Sequence, residues 1–259
     1  MNNIQVNRYL QNQLNRAPAL LRTYTQDEQG NKYLTRNMYI RVQKLINDFI
    51  AGEKEVRIVS VPGLRGVGKT TLLAQLYLTY FPRFAKDMLY VSADQVVNEL
   101  GSDLYTVLEE YQKITGVAIE KLDHDVFLFI DEIHFDKKWT SVLKTLYDRS
   151  KRVFVVCTGS SALSLQSTTD LARRVVFEKL YPMNFTEYML LMIAGSGEVS
   201  ITSLAKGLQG ISLVTLANVL EALEKAEVLI RVYPYGSTYK KVRKPSKYHF
   251  MTPAVRHAF

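Results

Sequence analysis

A single cysteine, Cys157, stands among the 259 residues, so no disulfide can form within the chain. A reducing, cytoplasmic setting is the simplest expectation. Long apolar runs are equally scarce. The longest, Tyr188–Ala194, falls far short of the ~20 residues a membrane-spanning helix needs. The opening stretch MNNIQVNRYLQNQLNR has no apolar core of the kind a secretion signal carries, and no membrane partner is expected. Internal repeats and low-complexity tracts are missing too, which argues against a repeat array. Acidic residues are absent between Val228 and Phe259. What remains is ordinary: 47% hydrophobic and 22% charged residues, enough chain for one large α/β domain plus a small appendage. The net charge of +8 is uneven, because residues 201–259 alone carry nine Lys or Arg against three Glu.

Residues 1–35 are polar and mixed, with Pro18 and a turn-like QDEQGNK, and read as a short helix and a connecting arm. Met38, Val42, Leu45, Ile46 and Phe49 recur at helical spacing, with Gly52 as a stop. VRIVSV (56–61) reads as a strand that runs straight into glycines. A helical stripe of Leu72, Leu73, Leu76, Tyr77 and Tyr80 follows, and Pro82 should end it. Strands are expected at MLYVS (88–92), VFLFI (126–130), VFVVC (153–157) and VVFEKL (175–180). Helices marked by Leu104, Val107, Leu108, Tyr111 and by Trp139, Val142, Leu143, Leu146, Tyr147 lie between them. Strands alternating with helices predict right-handed βαβ units and a mainly parallel sheet flanked by helices. VFLFI is continuously apolar, as a strand covered on both faces should be. Asn184 and Glu187 resemble a capping box opening a helix through Met192, and Gly195-Ser196-Gly197 marks a boundary.

The densest chemistry lies at Gly63-Leu64-Arg65-Gly66-Val67-Gly68-Lys69-Thr70, which satisfies G-x-x-x-x-G-K-[ST] at every position. Glycines let successive N–H groups turn inward toward phosphate oxygens. The helix starting near Lys69 adds the positive end of its dipole. Lys69 is assigned to the β- and γ-phosphates of ATP, and the Thr70 hydroxyl to Mg²⁺. Thr71 lies near the phosphates, and Arg65 either touches one or faces solvent. A strand before the motif and an amphipathic helix after it supply the context it requires.

Asp131-Glu132 closes the third strand, 62 residues after Lys69, at the carboxyl end where open α/β sheets place their chemistry. Asp131 is the metal residue, and Glu132 the base that orients or deprotonates the attacking water. After the fourth strand comes Thr158-Gly159-Ser160-Ser161. If that strand lies between the first and third, Ser160 or Thr158 either senses the γ-phosphate or caps a following helix. Arg173 and Arg174 are adjacent, so one at most points into the site; that arginine neutralises charge on the transferred phosphoryl group, in cis or across a subunit interface, or the two form a surface pair. Trp139 and Cys157 read as buried core groups, the thiol inert.

GLRGVGKTTLLAQL, FLFIDEIHFDKKWTSVLKTLYD, VVCTGSSALSL and LARRVVFEKLYPMNFTEYM, in that order, resemble the archaeal-type ATPase group of the AAA superfamily, close to the STAND NTPases. The resemblance covers roughly residues 36–192. It implies an ATPase, aligns Arg174 with the family's arginine, and makes Trp139 and His134 family features rather than catalytic groups. Where the family has Gly-Arg, this chain has Arg173-Arg174. Glu132, Lys69, Ser160 and Arg174 are thus the candidate catalytic residues. Family members commonly continue into a further C-terminal domain; this chain ends at Phe259, either as a shortened form or without that effector.

Thr202–Leu208 and Leu213–Lys225 read as helices joined by a turn with Ser212 as N-cap. VLIRVYPY and KYHFM then form a hairpin around a GSTYKKVRKPS tip, which completes a winged-helix pattern. Arg231, Lys240, Lys241, Arg243, Lys244 and Lys247 crowd it and are candidate contacts for double-stranded DNA. A lid or a protein-contact role is the other reading, because Glu221, Glu224 and Glu227 lie on or beside the recognition helix. The expected organisation is an N-terminal arm (1–35), a P-loop ATPase domain (36–194) and a basic winged-helix domain (198–259). Self-association or a protein partner is a further expectation. The expected function is a Mg²⁺-dependent ATPase switch; a DNA-binding regulator with nucleotide as a mere ligand is the alternative.

Overall fold

The computed structural model describes residues 2–159, 171, 173–183, 187, 212–225, 229–232 and 247–250. The chain divides into two compact units, residues 1–33 with 38–182 and residues 34–37 with 183–259. In the larger unit, β1 (Ile58–Pro62), β2 (Met88–Ser92), β3 (Val126–Asp131), β4 (Val153–Gly159) and the short β5 (Val176–Phe177) form a sheet in the order β2-β3-β4-β1-β5. Every pairing in it is parallel. Alternate residues of each strand point to opposite faces, and both faces are covered, which is why the strands are apolar without interruption.

On one face Val59, Val61, Tyr90, Phe127, Phe129, Phe154 and Val156 pack against α2 (Asn37–Ile50) and α3 (Lys69–Phe84). On the other, Leu89, Val91, Leu128, Ile130, Val155 and Cys157 meet α4 (Leu104–Thr115) and α5 (Trp139–Arg149). Trp139 is 5% exposed and belongs to this second layer. Burial pushes the Cys157 thiol up to about 12, so the thiolate needed for reactivity does not form near neutral pH. Gly116 closes α4 in the left-handed region (φ 71°), its N–H donating to the Gln112 carbonyl.

Three local expectations are corrected. The first concerns residues 1–35: α1 (Asn2–Thr23) is a helix of 22 residues, not a short one leading to an arm. Val6, Leu10, Ala17 and Leu21 are fully buried, the first two in one core layer and the last two in the other. That burial carries the helix through Pro18 despite its missing N–H. Secondly, α3 does not end at Pro82 but continues to Phe84. Proline so close to the C-terminus removes a single ladder bond, and its φ suits the helix. Thirdly, VVFEKL pairs as β5 over two residues only, with an isolated parallel bridge from Gly63 to Leu180.

In the smaller unit, α6 (Leu213–Lys225) is capped by Ser212, whose Oγ accepts from the Thr215 N–H at 3.0 Å. β6 (Leu229–Val232) and β7 (Lys247–Phe250) pair antiparallel. Arg36 and Glu187 form a two-pronged ion pair with both bonds at 2.9 Å, each side chain 12% exposed. Apart from Glu187, the capping-box helix after Asn184 lies outside the described residues, as does the helix at Thr202–Leu208.

Candidate functional site

The phosphate loop leaves β1 at Pro62 and enters α3 at Lys69. Gly66 and Gly68 adopt φ of 83° and 93°, the left-handed region that a side chain disfavours. Gly68 is the N-cap of α3 and offers no side chain, so the first amides of the helix are left to point at the loop's interior. Gly63 is required for a different reason from the one its motif suggests. Its φ is not positive; instead a Cβ there would lie 2.5 Å from the Leu180 carbonyl oxygen. Leu64, Arg65 and Gly66 are exposed at the tip, Val67, Gly68, Thr70 and Thr71 half-buried.

Lys69 is 4% exposed. Its Nζ donates to the Leu64 carbonyl at 3.1 Å and lies 3.6 Å from Glu132 Oε1. An ammonium has three donors, so a buried one with a single carbonyl at bonding distance has room for phosphate oxygens. The Thr70 hydroxyl donates to Asp131 Oδ2 at 2.8 Å. Two hard oxygens so placed, one of them anionic, suit Mg²⁺. The residues present therefore fit both a triphosphate and its metal.

Strand order decides the rest of the site. β4 lies between β1 and β3, so its carboxyl end abuts both the loop and Asp131. Thr158, fully buried there, donates its hydroxyl proton to Asp131 Oδ1 and accepts from the Glu132 N–H at 3.0 Å. Glu132 has φ 51° and ψ 43°, the one positive φ outside glycine among the described residues. Its carboxylate is 24% exposed and lies between Lys69 and His134, whose Nδ1 is 3.3 Å from Oε2. Tyr90 lies beside Asp131, and burial together with that carboxylate raises its phenol far above the ordinary range. Beyond Glu132, Asp136 is buried and accepts from the Leu104 and Lys138 amides, both at 2.7 Å, which ties this loop to the start of α4. His134 and Asp136 lie in the stretch that carries the resemblance, but no sequence signal gave either a place at the site, and Tyr90 lies in no motif.

Lys69, Thr70, Asp131 and Glu132 are thus brought together, with Thr158 beneath them. Arg174 is not with them. Its guanidinium pairs with Asp148, Nε to Oδ1 at 3.0 Å, and lies over the Tyr147 ring. Because α5 runs back from the site, Asp148 at its end lies where the strands begin, and Arg174 precedes β5 at that same end. The expectation of Arg174 as a catalytic group in its own chain's site is corrected accordingly. Ser160 lies outside the described residues, as do Lys240, Lys241, Arg243 and Lys244. Arg231 is half-buried on β6, over the ring of Tyr248 across the pair, and Lys247 opens β7.

Residues 55–189, more than half of the chain, match the family described as "AAA domain". The chain belongs to this family. It is an AAA-superfamily P-loop protein of the nucleotide-binding ATPase class. This AAA protein is 28% identical to Uncharacterized protein MJ1637 of Methanocaldococcus jannaschii, over 98% of its own length and 72% of the relative's. Among solved structures it is similar to the AMPPCP-bound DnaA of Aquifex aeolicus, 13% identical over 71% of this chain and 60% of that one, TM-score 0.45. The Aeropyrum pernix ORC1 protein in complex with DNA is 11% identical over 89% of this chain and 94% of that one, TM-score 0.42. Superpositions this loose add nothing to the family match.

Proposed function

We propose that this AAA protein binds ATP with Mg²⁺, hydrolyses it, and uses the cycle as a switch read by its basic C-terminal segment. The observation that carries the proposal is the Thr70–Asp131 pair beside buried Lys69, with Glu132 above it. The loop from Gly63 to Thr71 holds the triphosphate, and Lys69 turns its remaining donors to the β- and γ-oxygens. Thr70 and Asp131 hold Mg²⁺, which when bound offsets charge on the transferred phosphoryl group. Glu132 leaves Lys69 once phosphate takes its place, and orients the attacking water as general base.

ATP turnover should be lost in Glu132→Gln while a fluorescent ATP analogue still binds, and Lys69→Ala should lose the binding itself. Turnover that persists in Glu132→Gln, with Lys69→Ala still binding, overturns the assignment.

An ATPase domain that runs to 194 and takes in α1, whose apolar residues lie in both of its core layers, and a winged-helix domain at 198–259 belong to the same proposal, as does a cytoplasmic setting. The excess of six positive charges after residue 200 supports double-stranded DNA as the reader of the switch. It also favours the second reading, a DNA-binding regulator without turnover. Self-association or a protein partner would serve the same coupling.

A further inference from the structure

Thr158 had two open roles, sensing the γ-phosphate or capping a helix, and its surroundings favour neither. A hydroxyl has one proton to give and two lone pairs. The proton of Thr158 goes to Asp131 Oδ1, and one lone pair takes the Glu132 N–H at 3.0 Å. The side chain is fully buried. Nothing remains with which to donate to a phosphate oxygen unless Asp131 is released.

We propose that Thr158 is a positioning residue: it couples the Asp131 carboxylate to the Glu132 backbone and so sets the geometry of both acidic groups. The inference rests on the reading of Asp131 and Glu132 given above. Its physical core is the backbone of Glu132. A non-glycine residue at φ 51° costs energy and persists only where neighbours hold it. The bond from its own N–H to Thr158 is such a hold. It turns the chain sharply after β3, so that Asp131 ends the strand facing Thr70 while Glu132 swings toward Lys69 and His134. One hydroxyl from a neighbouring strand thereby orients two consecutive carboxylates toward different tasks. Asp131 is held at both oxygens, by Thr70 and Thr158, and is fixed before any metal arrives.

The test compares Thr158→Val, which keeps the shape and loses the hydroxyl, with Thr158→Ser, which keeps the hydroxyl. In Thr158→Val, kcat for ATP should fall roughly 10- to 100-fold with KM changed less than about 3-fold, and Thr158→Ser should restore most of it. Two further readouts need no turnover. Hydrogen exchange in the peptide containing Glu132 should speed up in Thr158→Val and stay slow in Thr158→Ser. The gain in affinity that Mg²⁺ gives a fluorescent ATP analogue should shrink in Thr158→Val, while affinity without metal holds. Should the valine variant not fold, Thr158→Cys, a weak donor of similar size, takes its place with intermediate effects expected. Equal kcat and equal exchange in the hydroxyl-free variant overturn this inference alone. No turnover in the wild type overturns the hydrolytic reading together with it. Equal loss in both substitutions would make Thr158 a matter of packing.

Discussion

Side chains that serve no chemistry here still carry much of the order around the site. Asp103 is one. It caps α4, its Oδ1 accepting from the Thr106 amide at 2.9 Å, with Lys138 Nζ 3.2 Å from Oδ2. Partial burial alone would raise its pKa, but the Thr106 amide and hydroxyl and Lys138 together hold the carboxyl below its ordinary 3.8. A depressed folded value means the stabilisation is present above pH 3.8 and is lost as pH falls through the lower folded value. Asp103→Ala should therefore cost ~1 kcal/mol at pH 7, and its gap from the wild type should narrow in denaturant titrations repeated below pH 3.8. Gly63 illustrates the converse, a position the motif assigns to the loop but demanded here by the approach of the Leu180 carbonyl.

At the scale of elements, α1 has the most consequence. β2 is the edge of the sheet, and an open edge presents unpaired N–H groups. α1 packs on β2, and Tyr9 accepts from the Ser92 N–H at 3.1 Å. Ser92 is opposite Asp131 in the sheet register, so the helix supports the strand next to the site. Leu10→Ala should cost about 2–5 kcal/mol by thermal or denaturant unfolding, as for a residue in a core. A cost near zero would mean that α1 is the dispensable arm its polar composition suggests. Periodicity placed α2 to α5, because each buries a regular stripe, and unbroken apolar runs placed the first four strands, because both faces of the sheet are covered. Periodicity failed on α1 because four buried apolar residues and the buried Gln13, spread over a polar 22-residue helix with a proline inside, leave little contrast.

For the molecule as a whole, the uneven charge makes a distinct demand. If the basic segment meets duplex DNA, the logarithm of the affinity should fall linearly with log salt, and neutralising Lys240, Lys241, Arg243 and Lys244 should flatten that slope by roughly one unit per residue. Binding of unchanged salt dependence in the quadruple variant would turn the segment toward a protein partner. ATP turnover measured with and without duplex would then report whether the nucleotide cycle and the basic segment are coupled.

The loop from Gly63 to Thr70 was legible from residue order because its chemistry is contiguous: backbone N–H groups, a lysine and a hydroxyl within eight positions. Asp131-Glu132 was legible because a buried parallel strand announces itself and its acidic end is abrupt. Only the fold could join these to Thr158, since that contact needs β4 between β1 and β3 in a given register. It also separated Arg174 from the site, because an arginine's reach depends on which end of the sheet its strand begins. Spacing along a chain fixes what neighbouring residues can do together. Strand order and register decide which distant residues become neighbours.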